Sequence, residues 1–523
     1  MKALQGLFSV ASIRRIESAW LAQVLPGELM SRAARAVADQ ATRMLRAMHP
    51  DTTVLLLVGP GNNGGDALVA GRLLSQRGFA VRACAVDSII GTPPVARDAA
   101  LAWHAWHAGG LGLHSLSDKA AWPLQRPPLI IDGLFGIGLS RPLPSAMTPL
   151  IAWAKRTRTP VLAIDTPSGL DADTGSAIAG GAILPATVTV TMIADKPGLH
   201  TGLGLAAAGR VLVAPLSNGH QPPSASMNRG IRPDAVLLDR TAIRRLLPMR
   251  GINAHKGTSG EVLIIGGRLG MAGAARLAAR GAVGAGAGKV SIAGDSRSSE
   301  AADPRRPEIM RAMIAATDPI PPRFKVVAIG CGLGQDQQAW QYLRSVINSR
   351  ALMVCDADAL NLLAAMPELV HLVRRRSAPT ILTPHPLEAS RLLALSTARV
   401  QADRIGTAIA LARKFDAVAV LKGAGTVVAD PLGHHAINGS GNPVLATGGT
   451  GDVLAGIIAA LAAGPLAGVG STAATAACAG VWLHGAAGDL VAHRLGPAGV
   501  PAGRIADWLP AVFRQTLERD APP

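Results

Sequence analysis

A glycine-rich segment in the first third of the chain carries the first candidate chemistry. The residues GPGNNGGD at 59–66 follow an apolar run at 54–58 and precede an amphipathic stretch. Glycines permit a ligand to approach the backbone closely, and a helix that begins there offers N–H groups to an anion. The segment has neither the GK[ST] of a P-loop nor a GxGxxG fingerprint. The alternative is a tight turn with Asp66 as a helix cap, although the consecutive Asn62 and Asn63 favour a ligand site.

Two acidic motifs downstream each follow a further apolar run. Asp132 opens DGLFGIGLSRP, and Asp165 opens DTPSGLDADTG, which also contains Ser168. Ligands bind at the carboxyl ends of strands in an open parallel sheet, so we expect both motifs to converge on the asparagine segment. Asn63, Asp132 and Ser168 then offer hard oxygen ligands for an alkali or alkaline-earth cation. Asp165 can act as a general acid or base, whereas Asp132 has the alternative role of capping a turn or pairing with arginine.

The sequence TGGTGD at 447–452 carries the sharpest signal in the second half of the chain. It leads into a long stretch of small and apolar residues that predicts a helix. The N–H groups of 449–451 would form an anion hole at the start of that helix. Asp452 is placed to deprotonate or orient a substrate hydroxyl that faces a nucleotide phosphate. The alternative is that Asp452 only caps the helix.

Three other strand-to-turn segments in the second half can contact a ligand. Lys422 ends an apolar run in VLKGAGTVVAD and can touch a phosphate, and AIGCGLG at 328–334 forms another glycine turn. His385 lies between two prolines in LTPHPLE, at the end of a third apolar run. We weigh a structural role for His385 against a ligand contact and favour neither.

The elements that must position these residues alternate along the chain. Short β-branched runs that end in glycine or aspartate alternate with Ala/Leu/Arg stretches of helical spacing, such as Leu68–Gln76, which predicts an α/β fold with mostly parallel, helix-covered sheets. The predicted strands are Val54–Val58, Leu129–Ile131, Val161–Ile164, Val188–Met192, Val262–Ile265, Val326–Ile329, Leu352–Val354, Thr380–Leu382 and Val418–Leu421.

The length of 523 residues exceeds what one hydrophobic core supports, so more than one domain is expected. The segment 217–232 is polar, rich in Pro, Ser, Asn and Gly, and without periodicity, which indicates a boundary. We therefore predict a first domain at 1–220, a linker at 221–235 and a second domain at 236–523.

The amino-acid composition indicates which kind of partner the protein binds and in which kind of compartment it lies. The net charge of +17 comes from dispersed arginines, and aromatic residues make up only 3%, so we expect an acidic small molecule rather than nucleic acid as the partner. Four scattered cysteines exclude a disulfide scaffold and a zinc module and favour a reducing compartment.

The apolar segment 451–483 is better explained by two buried helices than by a membrane span. The N-terminus lacks the pattern of a signal peptide, so we expect a soluble cytoplasmic protein without a membrane partner.

The motifs GPGNNGGD, DGLFGIGLSRP and DTPSGLDADTG, in this order, resemble the YjeF N-terminal family of NAD(P)H-hydrate epimerases over roughly 9–216. The resemblance implies a Rossmann-like αβα sandwich, a catalytic Asp165, and a potassium ion held by Asn63, Asp132 and Ser168. Ala67 replaces a usual glycine and would crowd the pocket slightly. The residues implied to contact the substrate are Asn62, Asn63, Gly64, Gly65, Asp66, Gly136, Ile137, Gly138, Leu139, Ser140, Arg141, Pro142 and Asp165.

The second half is similar to the carbohydrate-kinase (YjeF C-terminal) branch of the ribokinase-like superfamily, the ADP-dependent NAD(P)H-hydrate dehydratases. The match rests on HKGTSGEVLIIGG, GMAGAARLAARGAVGAGAGKV, CDADALN, TPHP and TGGTGD, with departures at Cys331, usually proline, and Leu387, usually glycine. By this resemblance Asp452 is catalytic, and Mg²⁺ accompanies the nucleotide. The implied substrate contacts are Ala274, Gly332, Gly334, His385 and Asp452. The implied adenine-nucleotide contacts are Lys422, Gly423, Ala424, Gly425, Thr426 and Gly451.

Together the two resemblances imply one chain that repairs hydrated NADH and NADPH. The first domain would interconvert the R and S hydrates, and the second, ribokinase-like αβα domain would dehydrate the S hydrate with ADP as phosphoryl donor. A homo-oligomer is also expected. The alternative is that the second domain is an ATP-dependent kinase for a vitamin precursor and the first a dinucleotide-binding scaffold without activity.

Overall fold

The structure, a computed structural model, contains two compact units. The N-terminal unit comprises residues 6–234, and the C-terminal unit comprises 1–5 and 235–523. Most of the predicted linker 221–235 lies outside the described residues. The structure describes residues 5–46, 53–119, 122, 126–217, 230–247, 252–253, 255–257, 259–294, 303, 305–464 and 472–518.

A parallel sheet forms the centre of the N-terminal unit. The strands of this unit are β1 (Gly6–Leu7), β2 (Val54–Val58), β3 (Val81–Ala85), β4 (Leu113–Ser115), β5 (Ile130–Gly133), β6 (Val161–Ile164), β7 (Val188–Met192) and β8 (Arg210–Ala214). Strands β2 to β8 form one sheet in the order β4-β3-β2-β5-β6-β7-β8, and every pairing in it is parallel. The carboxyl ends of the neighbouring strands β2, β5 and β6, where the polar motifs lie, are therefore side by side at the same end of the sheet.

Helices cover both faces of this sheet. They are α1 (Val10–Leu21), α2 (Glu28–Leu45), α3 (Asn62–Gln76), α4 (Arg97–Ala108), α5 (Thr148–Thr157) and α6 (Gly204–Ala207). Along β2, Val54, Leu56 and Val58 pack in the core that contains α1 to α4, whereas Leu55 and Leu57 pack in the core that contains α5. Burial on both faces explains why β2 is a continuous apolar run without alternation.

The C-terminal unit also has a central sheet. Its strands are β9 (Ala235–Leu238), β10 (Glu261–Ile265), β11 (Lys289–Ala293), β12 (Ile309–Arg311), β13 (Val326–Ile329), β14 (Leu352–Cys355), β15 (Thr380–Leu382), β16 (Val418–Leu421), β17 (Val427–Ala429) and β18 (His435–Asn438). They run in the order β9-β18-β17-β16-β15-β14-β13-β10-β11-β12. The pairings are parallel except those of β17, which is antiparallel to both β16 and β18. Tight turns therefore join β16, β17 and β18.

Two helical layers enclose this second sheet. The helices are α7 (Arg240–Leu246), α8 (Ala272–Gly284), α9 (Gln337–Ile347), α10 (Ala357–Ala365), α11 (Pro367–Arg374), α12 (Pro386–Leu393), α13 (Thr397–Ala402), α14 (Arg404–Phe415), α15 (Thr450–Ala463), α16 (Thr472–Leu495) and α17 (Ala502–Leu517). Val262 and Ile264 of β10 pack towards α8 and α15–α17, and Leu263 and Ile265 pack towards α9–α14. The αβα layering predicted from the sequence is confirmed.

Several predicted elements differ from the structure at their ends. Strand β5 extends to Gly133, so Asp132 lies within the strand rather than after it. Helix α3 begins at Asn62, so the asparagines form its first turn, and Asp66 lies inside the helix instead of capping it. The segment predicted as two buried helices contributes α15 and part of α16, with 465–471 outside the described residues. Among the helices that are described, none has the length and hydropathy of a membrane span.

Candidate active sites

The three N-terminal motifs line one cavity of about 520 Å³. Its wall includes Asn62, Asn63 and Asp66 from α3, the turn 136–141, and Asp165 at the end of β6. A Cβ atom placed on Gly136 would lie 3.2 Å from Asn63 Oδ1 and 3.5 Å from Asp165 Oδ2. The motifs therefore converge as the sheet topology predicts.

The glycines of the first motif act mainly through close packing. A Cβ atom on Gly64 would lie 2.0 Å from the Gly59 carbonyl oxygen, and one on Gly65 would lie 2.5 Å from Met30 Cε. Neither glycine lines the cavity, nor does Pro142 at the end of the second turn. The methyl group of Ala67 is fully buried and faces Gly133, so it does not crowd the cavity as the sequence suggested.

Asp165 is held in a fixed orientation by a buried lysine. Its backbone has φ 65°, a left-handed conformation that is uncommon outside glycine. Asp165 Oδ1 accepts hydrogen bonds from Lys196 Nζ at 2.8 Å and from the Met192 N–H at 3.1 Å. The side chain of Lys196 is fully buried, and its ammonium also donates to Thr191 Oγ1 at 2.6 Å. Because Oδ1 accepts these bonds, Oδ2 is the Asp165 oxygen placed towards Gly136 and the cavity.

Three more carboxyl groups, those of Glu17, Asp66 and Asp98, line the cavity with Asp165. Burial, with smaller contributions from Asp165 and Glu17, raises the pKa of Asp66 well above its ordinary value. Burial and then Asp165 also raise the pKa of Glu17, which projects from α1 into the same cavity. Asp165, paired with a lysine, and Asp66, without such a partner among the described residues, are therefore in different electrostatic environments. Environments of this kind separate a proton acceptor from a proton donor.

The predicted cation ligands lie beside this cavity. Asp132 is fully buried, and its carboxylate accepts from Ser168 Oγ at 2.6 Å and from the Ser168 N–H at 2.9 Å. Burial raises the pKa of Asp132 to about 6, despite these hydrogen bonds. Ser168 Oγ also lies 3.2 Å from the Phe135 carbonyl oxygen, and Asn63 Nδ2 is buried without a partner in the described chain. The adjacent oxygens of Asp132, Ser168 and Phe135 fit a potassium ion, whose charge would compensate the buried carboxylate.

Asp452 lies in the first turn of α15 in the C-terminal unit. Gly449, with φ 93°, caps the helix, so a residue with a side chain would be strained there. The predicted anion hole consists of the N–H groups of 449–451. The N–H of Thr450 already donates to the Thr447 carbonyl at 3.3 Å, so the N–H groups of Gly449 and Gly451 are the ones that could bind an anion. Burial and then Asp356 raise the pKa of Asp452 to about 6. A carboxyl group of this kind is ionised at neutral pH and remains basic enough to accept a proton.

A buried ionic cluster adjoins Asp452. Lys422 Nζ lies 2.6 Å from Asp356 Oδ1 and 3.9 Å from Glu388 Oε2. Burial lowers the pKa of Lys422, but Asp356 and Glu388 outweigh it, so the pKa is raised overall. A Cβ atom on Gly451 would lie 3.4 Å from Lys422 Nζ, which places this cation at the start of α15. The lysine predicted to touch a phosphate is thus oriented by two buried acids.

Cys331 belongs to the same cluster. Its Sγ and carboxylate oxygens of Asp356 and Asp452 lie within 4.8 Å of one another. The thiol forms a hydrogen bond with Asp452, and burial raises the pKa of Cys331 well above its ordinary value. Mg²⁺ prefers oxygen ligands in octahedral geometry, and Lys422 already binds Asp356. Asp452 is therefore the carboxylate best placed to meet a magnesium ion that arrives with nucleotide phosphates.

The predicted nucleotide turn 422–426 joins β16 to β17. Gly423, with φ 135°, and Gly425, with φ 59°, adopt backbone conformations that favour glycine. Thr426 Oγ1 donates to the Gly423 carbonyl at 3.0 Å and closes the turn. Buried Arg404 donates to the carbonyls of Leu421 and Lys422 at 3.1 and 3.2 Å. The turn is therefore held both by its own hydrogen bond and by the bonds from Arg404.

The remaining predicted contacts lie at neighbouring strand ends. Gly332, with φ 63°, faces helix α8, since a Cβ atom there would lie 3.1 Å from Ala274 Cβ. The N–H of Gly334 donates to Asp358 at 2.9 Å. His385 caps α12: its Nδ1 accepts from the N–H groups of Leu387 and Glu388 at 3.1 and 3.3 Å. The structural role weighed for His385 is thus present, and its half-exposed ring still leaves an edge open to a ligand.

Several residues of the candidate sites were not predicted from the sequence. Lys196 and Glu17 were not predicted, because neither belongs to a glycine-rich motif. Asp356 stands in CDADALN directly after β14, a strand-end position that could have indicated it. Glu388 follows His385 by three residues, the spacing of a helix capping box, and burial raises the pKa of Glu388 to about 7.

Comparisons with known proteins cover both units. A family described as YjeF-related protein N-terminus matches residues 26–198, and one described as NAD(P)H-hydrate dehydratase matches 262–511. The bifunctional NAD(P)H-hydrate repair enzyme of Escherichia coli K12 is 39% identical over 485 residues, which cover 91% of this chain and 87% of the relative. The enzyme of the same name from Coxiella burnetii is 38% identical over 479 residues, covering 91% and 92%.

A solved structure is similar to about half of this chain. The ADP/ATP-dependent NAD(P)H-hydrate dehydratase of Bacillus subtilis, co-crystallised with ATP and Mg²⁺, is 31% identical with a TM-score of 0.48. The similarity covers 54% of this chain and 98% of the Bacillus chain.

Proposed function

The chain belongs to the family of bifunctional NAD(P)H-hydrate repair enzymes, and from this premise we propose how its residues divide the work. The N-terminal unit is an epimerase of hydrated NADH and NADPH, and the C-terminal unit is a dehydratase of the same substrates. The proposal concerns the residues that act in each site. It is supported by an oriented carboxylate in each unit: Asp165 anchored by Lys196, and Asp452 at the start of α15.

In the epimerase site, Asp165 acts in the proton transfer to and from the substrate hydroxyl. The hydroxyl carbon of the hydrate adjoins the ring nitrogen, so the nitrogen lone pair can expel water once the hydroxyl is protonated. The resulting iminium adds water from either face, and a base removes the added proton. Asp66 and Asp165 line one cavity: Asp66, whose pKa is raised by burial, suits the proton donor, and Asp165, held by Lys196, suits the proton acceptor.

The cation site supports this chemistry from beside the cavity. Asn63, Asp132 and Ser168 would hold a potassium ion, whose positive charge favours the ionised form of the buried Asp132. Ser168 Oγ also accepts from the Phe135 N–H at 3.0 Å, next to the turn that lines the cavity. These residues therefore position the turn at 136–141 against the substrate.

In the dehydratase site, Asp452 assists the attack of the S hydrate's hydroxyl on the terminal phosphate of ADP. The hydroxyl loses its proton to Asp452, the new bond forms between its oxygen and phosphorus, and AMP leaves. The ring nitrogen then expels phosphate, and loss of a proton from the neighbouring carbon restores the double bond of NADH or NADPH. Phosphate is a better leaving group than hydroxide, which explains the need for a phosphoryl donor.

The residues around Asp452 would stabilise the transferred charge. The N–H groups of Gly449 and Gly451 lie at the positive end of α15, and Lys422 adds a cation beside Gly451. Asp356 and Glu388 hold that ammonium in place. The turn 422–426 would bind the adenine nucleotide, and Asp452 would hold an accompanying Mg²⁺, which would supply positive charge to the phosphates.

The test follows the return of reduced-nicotinamide absorbance from a mixture of R and S hydrates. With ADP, the intact chain should recover the whole mixture, Asp165→Asn only the S fraction, and Asp452→Asn almost none. Loss of a general acid or base lowers the rate by about 10²–10⁴. Full recovery by Asp165→Asn or undiminished turnover by Asp452→Asn would contradict the assigned roles. A stable phosphorylated product formed with ATP would instead support the kinase alternative.

A further inference from the structure

A second cavity, of about 370 Å³, opens beside helix α8 in the C-terminal unit. It is lined by one acidic and three basic side chains, together with a leucine and a glycine. These residues are Gly273, Arg276, Leu277, Arg280, Asp303 and Arg305. Cavities with a surplus of arginine suit anionic ligands, because guanidinium groups match the geometry of phosphate oxygens.

The charges in this arginine cavity do not balance within the described residues. Arg280 Nε binds Asp303 Oδ2 at 2.7 Å, and this hydrogen bond lowers the pKa of the buried Asp303. The nearby Asp507 is paired with a different arginine, since its Oδ1 lies 2.6 Å from a guanidinium nitrogen of Arg306. Arg276 and Arg305 have no carboxylate within ion-pair distance in the part of the chain that is described. Asp303, whose pKa Arg276 also lowers, is thus the one carboxylate among the described residues that line the cavity, and three arginines share it.

Arg276 shows the strongest sign of a missing ligand. Its Nε atom is buried and has no hydrogen-bond partner among the described residues. A buried charged donor without an acceptor is costly, so such groups are normally satisfied by protein, water or a ligand. The cavity that Arg276 lines provides room for an acceptor with several oxygens.

The arginine cavity lies next to the residues that would bind the hydrated nicotinamide. Leu277, which lines it, packs against the cap of α15: a Cβ atom on Gly449 would lie 2.5 Å from Leu277 Cδ1 and 3.8 Å from Asp452 Oδ2. Ala274, one position after Gly273 of the cavity wall, faces Gly332. A dinucleotide whose nicotinamide ring lies near Asp452 would extend its phosphates within reach of α8.

We propose that Arg276, Arg280 and Arg305 form a subsite for a phosphate group of the hydrated dinucleotide in the dehydratase site. The inference rests on the proposed role of Asp452, because it needs the nicotinamide end of the substrate to lie there. Arg276 and Arg305 bind the phosphate, and Arg280, tied to Asp303, fixes the shape of the cavity. Two phosphate groups share this chemistry: the diphosphate that both hydrates carry, and the phosphate monoester that only the NADPH hydrate carries.

The test measures dehydratase kinetics of Arg276→Gln with saturating ADP and each S hydrate in turn. Loss of a charged hydrogen bond should raise KM by about tenfold to a hundredfold, with a smaller effect on kcat. A rise for both hydrates assigns the diphosphate to the subsite, and a rise for the NADPH hydrate alone assigns the monoester. Unchanged KM for both hydrates, or a rise in KM for ADP only, overturns the inference.

Matched variants keep this test independent of folding and of the proposed function. Arg305→Gln repeats it without altering α8, and Arg276→Lys, which keeps the charge, should recover part of the affinity. Arg399→Gln, at an exposed position of α13, is the control for loss of one positive charge. Asp452→Asn tests the proposed function separately, since it should lower kcat. A normal KM in both arginine variants beside an inactive Asp452→Asn would refute the subsite and leave the proposed function standing.

Discussion

Lys196 Nζ lies 2.8 Å from Asp165 Oδ1, and the side chain of the lysine is completely shielded from solvent. The ammonium also donates to Thr191 Oγ1 at 2.6 Å and to the Met192 carbonyl at 3.1 Å. The pair therefore connects the end of β6 to the turn after β7. One carboxylate oxygen of Asp165 is fixed by this network, and the other remains available to the cavity.

Replacing Lys196 with methionine should therefore affect both stability and epimerisation. Breaking a buried ion pair leaves an uncompensated charge and costs about 3–5 kcal/mol in the free energy of unfolding. The freed Asp165 would also lose its orientation, so epimerase activity should fall while dehydratase activity remains. Thermal unfolding, together with separate assays of the two reactions, measures both effects.

Lys155→Met provides the control, because Lys155 lies exposed on α5. It should change neither the melting temperature nor epimerisation by a measurable amount. Normal epimerase activity in a folded Lys196→Met chain would show that Asp165 needs no anchor.

The cation site predicts a stability response to potassium that depends on pH. Because the pKa of Asp132 is about 6 in the folded chain, above its ordinary 3.8, the stability it contributes without a cation is complete below pH 3.8 and is lost as the pH rises through 6. A bound cation offsets this loss at high pH. Potassium at ten to a hundred times its Kd should stabilise the chain by about 1.5–3 kcal/mol at pH 8 and by less at pH 5.

Thermal unfolding in potassium chloride and in choline chloride at equal ionic strength measures this response. The variants Asp132→Asn and Ser168→Ala should remove it. An equal response in the wild type and in both variants would place the potassium effect elsewhere in the chain.

The sequence predicted the buried strands better than the edge strands. Val54–Val58, Val161–Ile164 and Val418–Leu421 have the same bounds in the prediction and in the structure. Each is a continuous apolar run, which a strand covered on both faces requires. Strand β8 (Arg210–Ala214) at the sheet edge was missed because it begins with an exposed arginine and its face is only partly buried.

The candidate sites were predictable where a motif carried the residue. Asp132 and Asp165 follow apolar runs, and the pairing of β5 with β6 brings these strand ends together in the N-terminal unit. Asp452 lies at the start of a predicted helix in the C-terminal unit. Lys196 was not predictable, because lysine is rarely buried and its partner lies far from it in the sequence. Their contact depends on the pairing of β6 with β7, which only the folded chain shows.

Arg404 should control how tightly the nucleotide binds. Its guanidinium group donates to the carbonyls of Leu421 and Lys422, and burial lowers the pKa of Arg404 to about 10, so it remains charged at neutral pH. Arg404→Met removes these bonds from the turn 422–426. We expect KM for ADP to rise about tenfold, as for the loss of one or two buried hydrogen bonds, with little change in KM for the hydrate.

Steady-state kinetics with ADP and hydrate varied in turn tests the role of Arg404. Arg399→Met is the control, since Arg399 is an exposed arginine of the same unit. A lower melting temperature with unchanged KM for ADP would mean that Arg404 stabilises the fold without shaping the nucleotide turn.

The Cys331 thiol should set the pH at which the dehydratase loses activity. The pKa of Asp452 is about 6, and the hydrogen bond from Cys331 lowers it. If Asp452 is the base, kcat/KM of the dehydratase should fall as the pH drops through about 6, because the carboxylate becomes protonated. Cys331→Ala removes the hydrogen bond, so this acid limb should move to higher pH. Cys331→Ser, which keeps a donor, should leave it closer to the wild-type position.

Two further variants isolate the effect of the Cys331 thiol on Asp452. Glu388, whose pKa is about 7, titrates in the same range, so the profiles are best compared in a Glu388→Gln background, where the remaining limb belongs to Asp452. Cys478→Ala removes a thiol on α16 and should leave the profile unchanged. An acid limb that stays in place in Cys331→Ala would show that the thiol does not tune the base. A limb that persists in Asp452→Asn would assign the base to another group.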